Sequence, residues 1–330
     1  SLSGRGRSPD LIAQIMPAGV TIETWHWVAF IGCVLFMLAV DLGLLHRKSR
    51  EIHAREAAAW TFLWFSLSMG FAFVLFRWMG GETAGEFITG YVVELALSMD
   101  NVFVIALIFS YFGVPRHLQH RVLFWGILGA MVMRGVMIGV GVELVHRFHW
   151  VLYILGGFLV FSGIKMITGS DQEVEPEKNP CIRLARKFFP VVDHFEGQRF
   201  VIRESGRLFL TPLALVLVMV ETTDLIFAVD SIPAIFGVTQ KPFVIFTSNV
   251  FAILGLRSLY FLLAGAMASF SYLKYGLSLV LVFIGIKMLV SFKYHIDTLV
   301  SLVVVGLILV VSIGLSWVIK PKVTDKEPKS

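Results

Sequence analysis

The sequence predicts an all-α polytopic membrane protein with about nine transmembrane helices. Of its 330 residues, 57% are hydrophobic and 15% are charged, whereas a soluble domain carries about 25% charged residues. Nine segments are long and apolar enough to cross a bilayer core of about 30 Å. They lie near 26–45, 57–79, 87–111, 120–142, 150–168, 208–232, 243–265, 273–291 and 297–319.

In chain order, these spans divide the sequence into six parts. We expect an extracytoplasmic tail over 1–25, accessory helices 1 and 2 over 26–86, a first three-helix unit over 87–168, a linker over 169–207, a second three-helix unit over 208–293, and a last helix with a cytoplasmic tail over 294–330. The net charge of +5 is spread over many short loops. This distribution gives no reason to expect a nucleic-acid partner.

The linker is the one long polar connection. Its stretch from Cys181 to Phe189 has the pattern of an amphipathic helix, and Phe200 to Phe209 has the pattern of a hairpin. We expect the linker to lie on the cytoplasmic surface of the lipid bilayer.

The two three-helix units resemble each other. The segment ending at Lys165 reads Leu-Gly-Gly-Phe-Leu-Val-Phe-Ser-Gly-Ile-Lys, and the segment ending at Lys287 reads Leu-Ser-Leu-Val-Leu-Val-Phe-Ile-Gly-Ile-Lys. Arg134 precedes the first lysine by 31 residues, and Arg257 precedes the second by 30. Because each unit crosses the membrane three times, the second is predicted to be inverted relative to the first. Inverted repeats place a substrate site at their interface near the midplane.

Lys and Arg residues are concentrated on one side of the predicted bundle. They follow spans one, three, five and seven and recur in the C-terminal tail. Since such an excess marks the cytoplasmic side, we expect an N-terminus outside and a C-terminus inside the plasma (inner) membrane.

Each unit carries two carboxylates six residues apart in an apolar run: Glu94 and Asp100, then Asp224 and Asp230. A carboxylate at the centre of a membrane helix costs about 2.5–3.5 kcal/mol, which marks a functional site by default. The intramembrane acids are Asp41, Glu94, Asp100, Glu221, Asp224 and Asp230, and the bases are Arg134, Lys165, Arg257 and Lys287. Structural ion pairing explains part of this set, and a divalent cation or two protons would balance the excess of acids.

Helix geometry separates the two acids of each pair by about 120° and about 9 Å of rise. Either they serve two sites, or the helix breaks between them. Pro233 frees the carbonyl of Val229, so we predict a discontinuous helix near 228–233 with backbone carbonyls as ligands. A simple proline kink without ligation is the alternative. We also expect the second unit, which adds Glu221 and Pro233, to contribute more of the coordination.

The candidate ligands are oxygen atoms, which suit Mg²⁺, Ca²⁺ or Mn²⁺. Met99 offers a thioether that would favour Mn²⁺, although packing in the core is the plainer interpretation. Ser98 and Asn249 are accessory candidates. Arg134 and Arg257 are expected to act as counter-ions of the carboxylates. Lys165 and Lys287 lie near helix ends and are expected to snorkel, with a counter-ion role as the alternative. Asp41 is expected to pair with nearby basic residues, with a role in the ion pathway as the alternative.

Four motifs resemble the TerC family: Glu221–Ile235, Ser98–Val102, Thr247–Tyr260 and Phe283–Met288. The resemblance covers about residues 25–320 and is strongest to the Alx-type branch. It implies an integral membrane protein of the LysE-like transporter group that exports manganese or delivers it to exported enzymes. It also implies that the metal is handled by Glu94, Asp100, Asn101, Glu221, Asp224, Asp230 and Ser231. Because the family includes thylakoid members, a thylakoid membrane is the alternative location.

These observations lead to one preferred function and two alternatives. We expect Mn²⁺ efflux by alternating access, with proton antiport through the carboxylates. The first alternative is a membrane assembly factor or chaperone that works with the secretion machinery or with exported metalloproteins. The second is export of Ca²⁺ or an organic cation. No P-loop, nucleophile elbow or HExxH motif is present in the sequence, so we expect neither an enzyme nor a catalytic cofactor.

Overall fold

The computed structural model describes residues 22–45, 54–168, 179–192, 194–204, 207–263, 272–291 and 296–318. Within these ranges the protein has ten helices and one two-stranded sheet. In chain order they are α1 (Thr24–Leu45), α2 (Ala54–Met79), α3 (Gly81–Tyr111), α4 (Arg116–Arg147), α5 (Val151–Thr168), α6 (Pro180–Phe188), β1 (Val201–Glu204), β2 (Arg207–Leu210), α7 (Pro212–Phe236), α8 (Pro242–Leu263), α9 (Leu273–Val290) and α10 (Thr298–Val318).

The helices confirm the predicted all-α polytopic fold. Eight described helices, α2 to α5 and α7 to α10, are long and apolar enough to cross a membrane, and α1 adds a shorter apolar stretch, Thr24–Val40. The observed helix bounds differ from the predicted spans most at the polar ends of the helices, because hydropathy gives little information there. For example, the span predicted over 120–142 is part of a longer α4 that runs from Arg116 to Arg147.

The linker contains both elements that its sequence predicts. Asn179 caps α6 by accepting hydrogen bonds from the backbone N–H groups of Cys181 and Ile182. The antiparallel hairpin follows, with β1 paired to β2. Arg121 of α4 donates a 2.8 Å hydrogen bond to Gln198 and lies 5.3 Å from the ring centroid of Phe200, so the hairpin side of the linker is fastened to the start of α4.

The predicted break in α7 is wrong, because the helix runs without interruption through Pro233. Proline removes one backbone donor but does not have to end a helix whose turn is held by packing. The residues around Pro233 are buried from Ser231 to Phe236, and the N–H of Gly237 donates to the Pro233 carbonyl at 3.1 Å. Helix α3 is likewise continuous, so both predicted acid pairs lie on regular helices.

Helices α3 and α8 form the centre of the bundle and pack closely against each other. Most of α8 is buried, and α3 also contacts α2, α7 and α10. Helix α4 packs against both α7 and α8. This arrangement brings the polar residues of α3, α4 and α7 together inside the protein.

Helices α5 and α9 share the most extensive helix contact in the structure, and glycines permit it. A Cβ at Gly163 would lie 2.8 Å from the carbonyl oxygen of Ser278, and a Cβ at Gly285 would lie 2.7 Å from the carbonyl oxygen of Gly156. Both distances are too short for any other residue. Gly163 and Gly285 hold matched positions in the predicted repeat, and so do Gly156 and Ser278. Each helix therefore contacts the other through equivalent residues.

Candidate functional site

A buried arginine joins the two predicted acidic motifs. Arg134 of α4 donates through Nη1 to Glu94 Oε1, through Nε to Asp224 Oδ2 at 3.1 Å, and through Nη2 to Asp224 Oδ1 at 2.8 Å. The side chains of Arg134 and Glu94 are 2% and 0% exposed, and that of Asp224 is 12% exposed. The network therefore ties α3, α4 and α7 together away from solvent.

The two bridged carboxylates differ in how fully they are bonded. Asn101 Nδ2 donates to Asp224 Oδ1 at 3.2 Å, so both oxygens of Asp224 are occupied. Glu94 uses one oxygen for Arg134, and its Oε2 is buried with no hydrogen-bond partner among the described residues. Asp224 is thus held in place, whereas Glu94 retains an open acceptor.

A small central cavity lies beside this network. The space open to the centre of a water-sized sphere is about 10 Å³, on the order of what one water molecule needs. Its lining combines residues from α3, α4, α5, α7 and α9: Glu94, Leu97, Asp100, Asn101, Arg134, Met166, Phe227, Asp230, Ser231 and Leu281. The cavity is therefore large enough for one ion without a full hydration shell.

Three oxygen atoms of the lining residues lack partners in the described part of the chain. They are Glu94 Oε2, Asn101 Oδ1 and Ser231 Oγ, and each is buried. A buried polar atom without a hydrogen bond costs about 1–3 kcal/mol, and more if it is charged. Carboxylate, amide and hydroxyl oxygens are ligands for hard divalent cations, so these three atoms are candidate ligands for a cation in the cavity.

Asp230 is positioned by a residue that the sequence did not single out. Ser162 of α5 donates a 2.8 Å hydrogen bond to Asp230 Oδ1. The signal was present in the repeat, because Ser162 is matched by Ile284 and is the one position in that segment where a polar side chain replaces a large apolar one.

Carboxylates alone do not form a metal cluster in the part of the chain that the structure describes. Among the described residues, no group of three or more His, Cys, Asp or Glu side chains is placed to hold a metal ion. The seven predicted metal-handling residues therefore do not converge as one set. Glu94 and Asp100 both line the same cavity although α3 is continuous, so the predicted choice between two sites and a broken helix is wrong for this pair. A cation would need the mixed set of oxygens from Glu94, Asp100, Asn101, Asp230 and Ser231.

Two predicted acids of the second unit lie outside the cavity lining. Glu221 directs its carboxylate against Gly129 of α4, where even a Cβ would collide with it. Asp224 faces Arg134 and Asn101, as described above. The first unit consequently lines the cavity with more polar side chains than the second, which is the reverse of the expected division.

Other predicted ligands also lie elsewhere. Met99 packs against the apolar core clusters of the bundle, and the methionine that lines the cavity is Met166 of α5. Ser98 is buried with its hydroxyl unpartnered among the described residues but does not line the cavity. Val229, the predicted carbonyl ligand, has an exposed side chain and is absent from the lining.

The remaining accessory residues are dispersed. Asn249 and Arg257 are buried in α8 outside the cavity lining, and Lys165 is exposed near the end of α5. Position 41 falls within α1, but the side chain of Asp41 lies outside the described residues.

Lys287 lines a second, larger chamber of about 230 Å³. It is lined by the starts of α3, α5 and α10, the connection between α7 and α8, and the end of α9. At its wall, Lys241 forms a 3.0 Å ion pair with Glu86, which also accepts a 2.9 Å hydrogen bond from Thr239. The predicted topology places this chamber on the extracytoplasmic side.

A helical bundle with apolar spans and a buried charged network beside a small cavity defines a multi-pass integral membrane protein of transporter-like character. The chain belongs to the integral membrane protein TerC family, whose sequence profile matches residues 79–324.

Curated relatives match most of the chain. A membrane protein of Myxococcus xanthus is 48% identical over 292 residues, which cover 88% of this chain and 92% of the relative. Proteins of Photorhabdus laumondii and Escherichia coli K12 that are named as candidate membrane-bound redox modulators, Alx, are each 47% identical. The matches cover 91% and 88% of this chain and 97% and 94% of the relatives, respectively. No solved structure matches the chain.

Proposed function

We propose that this protein exports Mn²⁺ by alternating access and that protons move in the opposite direction through the same carboxylates. The observation that carries the proposal is the set of buried oxygens without partners around a cavity of ionic size. Such atoms are costly to keep inside a membrane protein unless a ligand engages them during the working cycle.

The chemistry of the lining supports a hard or borderline divalent cation as the substrate. Carboxylate, amide and hydroxyl oxygens suit Mn²⁺, Mg²⁺ and Ca²⁺. Met166 adds a softer thioether to the same lining, which favours Mn²⁺ over the two harder ions. Membership of the TerC family supports a membrane role. The choice of Mn²⁺ as the transported ion is our own proposal and depends on the chemistry of the cavity lining.

Charge balance supports exchange with protons. Arg134 compensates part of the charge on Glu94 and Asp224, with which it forms ion pairs. Asp100 and Asp230 line the cavity, and one divalent cation or two protons would neutralise this pair. Moving two charges outward against 100 mV costs about 4.6 kcal/mol, which inward proton movement would supply.

The reciprocal contact of α5 with α9 supports the predicted inverted repeat. Gly163 faces Ser278, and Gly285 faces Gly156, which is the residue matched to Ser278 in the predicted repeat. A two-fold axis through the crossing requires this correspondence. The other matched pairs, α3 with α7 and α4 with α8, also pack directly against each other. In inverted-repeat transporters, one unit rocks against the other around a central site. The Lys and Arg distribution supports a plasma-membrane orientation with the N-terminus outside.

Flux through proteoliposomes tests the proposal. Purified protein should move Mn²⁺ across the vesicle membrane, and an opposing proton gradient should accelerate it. Asp100→Asn and Asp230→Asn should each abolish this flux, because neither neutral side chain can take part in charge exchange. Glu143→Gln is the matched control, since Glu143 is 64% exposed and pairs only with Arg147 in the described residues. Wild-type flux in both site variants would contradict the proposed site.

A membrane assembly factor is the second candidate. Arg134 and Asn101 together occupy both oxygens of Asp224. This is the bonding expected of a structural ion pair, and it therefore favours the assembly factor. Titrating Mn²⁺ while following thermal unfolding separates the two functions. A transporter with the proposed site should be stabilised by Mn²⁺ in a saturable manner, and Asp230→Asn should remove that stabilisation. An assembly factor whose charges only hold helices together should show neither effect.

A further inference from the structure

Helix α6 has two chemically opposed faces. Ideal helix geometry places its three basic residues, Arg183, Arg186 and Lys187, along one arc of the helix. Cys181, Ile182, Leu184, Ala185 and Phe188 occupy the opposite arc. Arg183, Arg186 and Lys187 are all exposed.

One edge of the apolar arc fixes α6 to the bundle. Ile182 is 1% exposed and packs in the core cluster that includes Leu213 and Met219 of α7. Asn179, the residue that caps α6, lies with its Nδ2 3.1 Å from the sulfur of Met219. Helix α6 is therefore docked against α7 at its N-terminal end and is not a free segment.

The docking point sets the depth of α6 along the membrane-spanning helix. Met219 follows the first residue of α7, Pro212, by seven positions, which corresponds to about 10 Å of helix rise. Helix α6 consequently lies beside the first two turns of a span rather than beyond its end. Interfacial amphipathic helices lie beside the ends of spans in this way and bury their apolar face roughly 5–10 Å into the boundary between headgroups and acyl chains.

The other edge of the apolar arc is open at this depth. Leu184 and Phe188 are 56% and 68% exposed, and Cys181 is exposed. We propose that α6 is an anionic-phospholipid binding element. Leu184 and Phe188 insert among the upper acyl chains, and Arg183, Arg186 and Lys187 bind the headgroup phosphates. Basic side chains beside a negatively charged leaflet supply the complementary charge.

A fluorescence measurement on the full-length protein tests this element independently of any transported ion. The sequence contains two cysteines, so Cys33→Ser allows an environment-sensitive fluorophore to be attached to Cys181 alone. The labelled protein is placed in nanodiscs of phosphatidylcholine or of phosphatidylcholine mixed with phosphatidylglycerol. The anionic lipid should raise the emission and shift it to shorter wavelength, and high salt should reverse this difference by screening the charges.

Two sets of variants separate the charged and apolar contributions. Combined Arg183→Gln, Arg186→Gln and Lys187→Gln should abolish the difference between the two lipid mixtures. Combined Leu184→Ser and Phe188→Ser should lower the emission in both. Arg147→Gln is the control, because Arg147 is exposed in α4 and pairs with Glu143; it should leave the lipid response unchanged. Equal emission in the two nanodiscs, or a lipid response that survives the triple charge change or high salt, would overturn the proposal.

Discussion

The two three-helix units of this protein start from similar sequences and contribute differently to the centre of the bundle. The first unit supplies Glu94, which keeps one buried oxygen unpartnered in the described chain. The second supplies Asp224, both oxygens of which are hydrogen-bonded. Asp224 therefore holds the network together, whereas Glu94, which lines the cavity, keeps one acceptor without a partner among the described residues.

The second acids of the two pairs, Asp100 and Asp230, also differ in their surroundings. Asp230 is oriented by a hydrogen bond from Ser162 on α5, whereas the position matched to Ser162 on α9 is Ile284, which has no donor to offer Asp100. The two units that the sequence predicts to be repeats thus differ by local substitutions that make them chemically unequal. The variants that follow test that inequality.

Replacing Arg134, the base that pairs with an acid from each unit, should lower the free energy of unfolding more than any other change tested. Arg134→Met would leave Glu94 and Asp224 buried beside each other without a counter-charge. Breaking a buried ion pair in this way typically lowers the free energy of unfolding by about 3–5 kcal/mol. Thermal unfolding in detergent measures the loss. Arg147→Gln is the control, because an exposed pair one helical turn apart contributes only about 0.3–0.5 kcal/mol, and similar effects of the two changes would contradict a central role for Arg134.

Adding a side chain at the contact between α5 and α9 should lower the free energy of unfolding by an intermediate amount, and by the same amount whichever helix is changed. Gly163→Val and Gly285→Val each force a side chain into a backbone of the other unit, and overpacking of this kind typically costs about 1–3 kcal/mol. Gly157→Val is the control, since no atom lies within 4 Å of a Cβ at that position. Unfolding measurements that show a large cost at one glycine and none at the other would argue against the two-fold relation.

Removing the hydroxyl that orients Asp230 should have the smallest effect. Ser162→Ala deletes one hydrogen bond, typically worth about 0.5–1.5 kcal/mol, so the Mn²⁺ concentration for half-maximal flux should rise roughly 2- to 10-fold. The maximal flux should stay near the wild-type value, and Ser162→Thr should restore the affinity. A lower maximal flux with unchanged affinity would instead indicate a role in conformational change.

The fold was predictable because its main signals are local. Long apolar runs define the spans, alternation defines the hairpin from Val201 to Leu210, and the opposed faces of α6 are visible in nine residues. The predicted break at Pro233 was wrong because the sequence does not show how strongly the surrounding turn is packed.

The candidate site was predictable only in part. The acids stood out because charges are rare in apolar spans, and Arg134 stood out for the same reason. Which of them line the cavity depends on the direction that each helix face takes in the bundle. This is why Met166 replaces Met99 and why Glu221 faces Gly129 of α4. The hydrogen bond from Ser162 to Asp230 joins residues 68 positions apart, and its only trace in the sequence is that Ser162 stands where the second unit has Ile284.

The central claim is that the cavity between α3 and α7 binds a divalent cation. Anomalous scattering at the manganese edge, recorded from crystals of the full-length protein soaked in Mn²⁺, tests it most directly. We predict a peak bounded by Glu94, Asp100, Asn101, Asp230 and Ser231, which should disappear in Asp230→Asn. A well-ordered cavity without a peak, or a peak confined to the chamber lined by Glu82 and Glu86, would contradict this assignment.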